Sequence, residues 1–136
     1  MWCEEMDIVA TLIASLLSGV VGVTISTLYY RRHEKRKQKF EVLRRIVGTR
    51  YALTEKTTNE AKVVFFSALN EVVVLFHDNR EVIEALNNLH RELKVQGRLH
   101  DNLVTLFKAM CRNLNVSSAG LNDEFFLRPF SPSVEF

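Results

Sequence analysis

The first part of the chain carries a long run of apolar and small uncharged side chains. Residues 8–30 contain no charged residue, and a helix of that length extends roughly 35 Å, enough to cross a hydrocarbon core of about 30 Å. Glu4, Glu5 and Asp7 precede the run, whereas six Lys or Arg residues follow it within residues 31–39. A secretory signal peptide has the reverse charge order. The pattern therefore predicts a membrane-spanning helix, and the positive-inside rule places the residues after it in the cytoplasm.

The membrane helix is expected to continue beyond the bilayer. Residues 31–47 contain no helix-breaking residue, and their apolar positions recur at helical spacing. We therefore expect a long rod that ends near Gly48 and would transmit a tilt of the following domain to the membrane. On this basis residues 1–39 form a transmembrane anchor with a basic juxtamembrane collar, and residues 40–136 form a cytoplasmic helical ligand-binding domain.

Three further helices are predicted after the rod. A capping signature at Thr57–Glu60 opens the first, and another at Asp78–Glu81 opens the second, which Gly97 would end. The last covers about residues 98–114. The chain has no alternating strand pattern of useful length. The predicted fold class is all-α, with one N-terminal transmembrane helix continuing into a cytoplasmic helical domain of about three to four helices.

The helix that follows the rod is apolar on most of its circumference. Its main stripe comprises Ala61, Val64, Phe65, Ala68, Leu69, Val72 and Phe76. The positions that widen this stripe are Val63, Phe66, Val73 and Val74. Because a helix that is apolar on several sides normally lies inside a protein, we expect it to be buried on more than one face.

Charge narrows the range of partners. The net charge is +2, but the excess lies in the collar, because the 12 Lys and Arg residues from Phe40 onward are matched by 12 Asp and Glu residues. A neutral domain is not expected to coat DNA or long RNA, since that binding depends on summed positive charge. The collar is explained by membrane orientation and by attraction to anionic headgroups, which makes the lipid bilayer a partner.

The sequence offers little catalytic chemistry. It contains no HExxH, CxxC, glycine-rich phosphate loop or GxSxG motif. We interpret the four histidines as surface residues near helix ends. The isolated Cys3 and Cys111 indicate neither a disulfide framework nor a metal site, and Cys111 is predicted to be a small core residue. We therefore expect a protein that is not an enzyme and has no metal or cofactor.

Small residues four positions apart recur in the membrane helix. They are Ser15 with Gly19, Ser18 with Gly22, and Gly22 with Ser26. This spacing lets transmembrane helices approach closely. Ordinary tolerance of glycine and serine in lipid is the alternative, but three overlapping pairs in one region favour self-association.

A second group of basic residues surrounds the end of the rod. The predicted ligand-binding residues are Arg44, Arg45, Thr49, Arg50, Tyr51, Lys56, Asn59 and Lys62. The arginines and lysines, together with the backbone N–H groups at the start of the following helix, would bind phosphates. The tyrosine would stack on a base, and the threonine or asparagine would bond to a base edge or a 2′-hydroxyl. The alternative is that the two adjacent arginines extend the lipid-facing collar.

The order of these features resembles known small membrane proteins of bacteria. A single span, a basic collar, "LRRIVGTRYALT", an apolar helix, "VIEALNNLHREL" and a short aromatic tail look like a family of membrane-anchored helical proteins. They also resemble the small membrane-bound accessory effectors of type III CRISPR systems, whose cytoplasmic domain is a tetramer that binds cyclic tetra-adenylate.

The resemblance implies an antiviral defence effector in the bacterial inner membrane, with its N-terminus outside and its C-terminal domain in the cytoplasm. A cyclic oligoadenylate, with cyclic tetra-adenylate favoured, would bind a homo-oligomer, with a tetramer favoured. Binding would rearrange the transmembrane helices and permeabilise the membrane.

Two other functions stay open at this point. One is a membrane-anchored scaffold that recruits a cytoplasmic protein through the aromatic tail, in which Phe125, Phe126 and Phe130 are too apolar to remain in solvent. The other is a holin-like toxin in which the membrane helix alone acts.

Overall fold

The computed structural model of the chain describes residues 1–53, 58–95, 98–120 and 124. Its four α-helices are α1 (Trp2–Thr49), α2 (Asn59–Leu75), α3 (Arg80–Val95) and α4 (Leu99–Asn113), and a short 3-10 helix covers Arg50–Leu53. No β-strand occurs in these ranges. The predicted all-α class is confirmed, and the predicted ends of the rod and of the last helix agree with α1 and α4 to within one residue. The aromatic tail and Gly97 lie outside the described residues.

The chain contains two compact units, residues 1–35 and residues 36–136. In the first unit all positions in 8–30 are exposed. Helix α1 is long and apolar enough, by length and composition, to cross a membrane. This confirms the prediction of one candidate transmembrane helix.

The second unit has a continuous hydrophobic core. The largest of its fully buried side chains include Ile46 of α1, Phe65 of α2, Leu89 of α3 and Phe107 of α4. Each helix therefore contributes a bulky apolar group to one core. Cys111 is buried in it, as predicted, and no polar or charged residue is fully buried within the described ranges.

Helix ends in this unit differ from the predicted caps. The Asn79 side chain, and not Asp78, caps α3, because its Oδ1 accepts a 3.0 Å hydrogen bond from the N–H of Val82. Helix α2 begins at Asn59 after Thr58, whose side chain makes no capping hydrogen bond. Thr57, the first residue of the predicted capping box, lies outside the described residues.

The end of α4 is closed by a left-handed residue. Asn115 has φ of 54°, and its N–H donates to the carbonyl of Arg112 at 3.1 Å. The N–H of Val116 donates to the carbonyl of Cys111 at 2.9 Å. This is a Schellman arrangement, in which asparagine takes the position usually given to glycine.

Two collar residues belong to this helical unit. Nη2 of Arg36 donates to the carbonyl oxygen of Leu114 at 3.0 Å, satisfying a carbonyl at the end of α4. Nζ of Lys39 lies 3.1 Å from Asp78 and 3.3 Å from Asn113. Part of the basic run thus stabilises the fold. The sequence pattern indicated only membrane orientation and attraction to lipid headgroups for this run.

Candidate functional site

The predicted ligand-binding residues that the structure describes lie at the end of α1, in the 3-10 helix and at the start of α2. Arg44 and Arg45 are exposed residues of α1, and each faces a carboxylate. Nη2 of Arg44 lies 3.5 Å from Glu41, one turn earlier. Nη1 of Arg45 lies 2.6 Å from Glu71 of α2. These carboxylates offset part of the positive charge of the two arginines. Arg44, whose side chain is 75% exposed, makes the longer of the two ion pairs.

The next predicted residues satisfy the end of α1. The Thr49 hydroxyl donates to the carbonyl of Arg45 at 2.8 Å. Nη1 of Arg50 donates to the carbonyl of Val47 at 2.8 Å, and burial lowers the pKa of its guanidinium. Tyr51 packs partly buried against the hydrophobic core. Helix C-termini need such donors, so Arg50 has a structural role in this conformation.

The remaining predicted residues are not drawn together by any contact that the structure shows. Asn59 is exposed at the first position of α2, and Lys62 is half-buried one turn further on. Lys56 lies outside the described residues. The assignment of a phosphate-binding site to this set stays a prediction.

A different surface, which the sequence pattern predicted to be buried, lies on α2. Its exposed apolar side chains are Val63 at 68%, Phe66 at 40%, Val73 at 51% and Val74 at 70%. Val64, which the sequence placed in the main stripe, lies to one side of this surface and is 41% exposed. The expectation that α2 is buried on more than one face is therefore wrong for the chain by itself. The physical reason is that α1, α3 and α4 cover only the side of α2 that carries Phe65, Ala68 and Val72. We call the exposed side of α2, residues 63, 66, 67, 70, 73 and 74, the α2 face.

The α2 face has the spacing of a helix-packing seam. Val63, Phe66, Asn70 and Val73 follow one another at intervals of three, four and three residues, which is the a/d spacing of paired helices. Val74 lies beside this row, because at 3.6 residues per turn it stands one turn beyond Asn70. One exposed polar residue, Asn70, stands in the middle of an otherwise apolar row.

Grooves run along both sides of the α2 face. One, of about 340 Å³, lies between α2 and α3 and is lined by Phe66, Leu69, Asn70, Val73, Leu86, Asn87, Leu89, His90 and Leu93. The other, of about 310 Å³, lies between α1 and α2 and is lined by Gln38, Glu41, Val42, Arg45, Glu71, Val74 and Leu75. A ridge flanked by two grooves is the surface that a second helix can pack against.

The charges beside the α2 face are few and balanced. Glu60 and Lys62 lie near its N-terminal end, Glu71 is paired with Arg45, and Glu41 in the groove between α1 and α2 is paired with Arg44. His77 follows α2, and its Nδ1 lies 2.8 Å from the carbonyl oxygen of Val74. The face is therefore apolar apart from Ser67 and Asn70, and it carries little net charge at its edges.

The described residues show no grouping of side chains suited to bind a metal. Burial raises the pKa of the Cys111 thiol, which disfavours the reactive thiolate. His90 and His100, two of the four histidines interpreted as surface residues, are both exposed.

Together the fold and its surfaces define an all-α protein with one candidate membrane-spanning helix and a helical unit that exposes an apolar helix face. The chain belongs to DUF6680, a family of unknown function, whose sequence profile matches residues 3–119. The search of curated proteins found no match, and neither did the search of solved structures.

The α2 face could have been recognised in the sequence. The same helix carries apolar residues on opposite sides, and the part of the chain that the structure describes supplies only three other α-helices to cover them. An exposed apolar helix side was therefore an available alternative to complete burial.

Proposed function

We propose that the protein is a membrane-anchored protein-docking module. Helix α1 holds it in the bacterial inner membrane with the N-terminus outside, and the cytoplasmic helical unit binds an amphipathic protein helix along the α2 face. The observation that carries the proposal is the row of exposed apolar side chains at helix-packing spacing, Val63, Phe66 and Val73 with Val74 beside them. It is a form of the scaffold function, with α2 in place of the aromatic tail as the docking element.

A protein helix fits this face better than a lipid surface does. Helices that lie on membranes carry many Lys and Arg residues on their polar side. Helix α2 has one lysine, Lys62, and two glutamates, Glu60 and Glu71. The electrostatic attraction between α2 and anionic headgroups would therefore be weak. The flanking grooves, in contrast, can accept the side chains of a packed helix.

The test is site-specific photo-cross-linking of the full-length chain in bacterial cells. A benzophenone amino acid at Ser67, on the α2 face, is expected to form a covalent protein adduct. The matched control places it at Thr105, an exposed position of α4. Val73→Glu should reduce the Ser67 adduct at least about tenfold, because an unpaired charge buried in an interface costs several kcal/mol. No adduct at Ser67, or equal adducts at both positions, would contradict the proposal.

A second candidate function is the cyclic-oligoadenylate effector. It is supported by the exposure of Arg44, whose guanidinium is held only loosely by Glu41 and is available to a phosphate. In this proposal the messenger binds at the end of α1, favours one arrangement of an oligomer, and so rearranges the membrane helices.

The effector is tested by native mass spectrometry of the full-length chain with cyclic tri-, tetra- and hexa-adenylates. Binding of cyclic tetra-adenylate that Arg44→Ala removes and Arg91→Ala preserves would support it, because Arg91 is an exposed arginine on α3. Arg50→Ala is a poorer probe of the predicted site than Arg44→Ala, since Arg50 also donates to the carbonyl of Val47. Failure to bind any of the three rings would contradict it.

A further inference from the structure

We infer that the helix bound by the α2 face is the α2 of a second copy of this chain, packed about a two-fold axis that passes beside Asn70. The inference rests on the proposed docking function and names its partner. Three observations on the helical unit carry it, and each concerns how well the face complements itself.

The first observation is the position of Asn70. It is the one polar residue in the row Val63, Phe66, Asn70 and Val73. A side-chain amide carries both a donor and an acceptor, so two copies of the same asparagine can satisfy each other across a two-fold axis. A single asparagine at such a seam position is known to fix the register of paired helices. An unrelated partner would need its own polar group opposite Asn70, whereas a second copy supplies one in its own Asn70.

The second observation is the shape of the surface. The ridge formed by Phe66, Val73 and Val74 is bounded on each side by a groove of 310–340 Å³. The ridge of one copy can therefore pack beside the ridge of the other, with side chains of each entering a groove of its partner. A self-complementary surface of this kind is what a two-fold interface requires.

The third observation is the charge at the edges. Glu60 is balanced by Lys62, Glu71 by Arg45, and Glu41, which lines the groove between α1 and α2, by Arg44. Two identical surfaces repel each other when they carry net charge, but this one carries none. Copies anchored in the same membrane also meet at a raised effective concentration, so a modest interface suffices to hold them together.

The test exchanges charges at Asn70 in the full-length chain. Two differently tagged copies are co-expressed, the membranes are solubilised in detergent, and one copy is purified through its tag. The wild-type copies are expected to purify together. Asn70→Asp in both copies, or Asn70→Lys in both copies, should lower the recovery of the second copy at least about tenfold, because like charges then face each other across the axis.

The decisive sample pairs one Asn70→Asp copy with one Asn70→Lys copy. If the inference holds, recovery returns toward the wild-type value, because the two opposite charges now meet. Asn70 is exposed, so both variants should keep the helical content of the wild type, which circular dichroism checks. Unchanged recovery in the single-charge samples, or no recovery in the mixed one, would overturn the inference.

The same experiment separates this inference from the proposed function. If the tagged copies never purify together while the Ser67 cross-linker still forms an adduct with another protein, the second copy is excluded and the docking module stands. If the copies do not associate and no adduct forms at Ser67, both are overturned.

Discussion

The ammonium nitrogen of Lys39 lies 3.1 Å from a carboxylate oxygen of Asp78, in the turn between α2 and α3. The same nitrogen is 4.9 Å from the centre of the Phe76 ring and 3.3 Å from the Asn113 side chain. One residue of the basic run thus connects α1 to the ends of α2 and α4 within the helical unit. Its charge is used in the fold and is not only a signal for the proposed membrane orientation.

Replacing this lysine is expected to destabilise the helical unit. Lys39→Ala removes an ion pair and a cation–π contact, which together are worth about 1–2 kcal/mol. The measurement is urea denaturation of the full-length chain in detergent. Lys37→Ala is the matched control, because Lys37 is an exposed lysine of the same run and should change stability by no more than about 0.5 kcal/mol. Equal effects of the two substitutions would show that Lys39 has no special role.

The same contact predicts a pH dependence. The hydrogen bond from Lys39 lowers the pKa of the Asp78 carboxyl below its ordinary value of 3.8. A carboxyl with a lowered pKa in the folded state stabilises the fold above its unfolded pKa, and this stabilisation is lost as the pH falls through the folded pKa. We expect Asp78→Asn to remove that part of the acid sensitivity. A variant whose stability falls between pH 5 and 2 as steeply as the wild type would contradict this.

The thiol of Cys111 is expected to react slowly. It is buried in the core, and burial raises its pKa, so little thiolate is present near neutral pH. In a Cys3→Ser background, a maleimide reagent should label the folded chain far more slowly than the urea-unfolded chain. Equal rates in the two conditions would show that the core around Cys111 opens readily.

Membrane orientation is testable through fusions to the C-terminus. With six basic residues after the apolar run and three acidic ones before it, a fused green fluorescent protein should be fluorescent and a fused alkaline phosphatase inactive. Replacing Arg31, Arg32 and Lys35 with glutamate removes the positive excess after the apolar run and should weaken the preference for this orientation. These residues are exposed. An active phosphatase fusion to the unaltered chain would contradict the proposed topology.

Sequence periodicity predicted the helices and most of the core. Phe65, Ala68 and Val72 of the main α2 stripe are buried as their spacing indicates. The cap of α3 was displaced by one residue, because Asp and Asn are both good caps and the choice depended on a distant contact. Asp78 pairs with Lys39, which leaves Asn79 to cap the helix.

The candidate site was the part that the sequence predicted least well. Local charge counts around Arg45 could not show that Glu71, which lies 26 positions later, approaches it to 2.6 Å. The apolar pattern of α2 showed that both of its sides exclude charge, but it could not show which side the rest of the chain covers. That depends on how many helices pack around α2, which is a tertiary property.

In the proposed assembly the α2 face joins two copies of the chain. Native mass spectrometry of the full-length protein released from detergent micelles tests it directly, with Val73→Glu combined with Val74→Glu as the disrupting variant. The control is Val95→Glu, which alters a valine of α3 that is 74% exposed and lies outside the α2 face.

We predict a mass of at least two copies for the wild type and the control, and of fewer copies for the α2 variant. A wild type that is entirely monomeric, or an α2 variant that keeps the wild-type mass, would contradict the account.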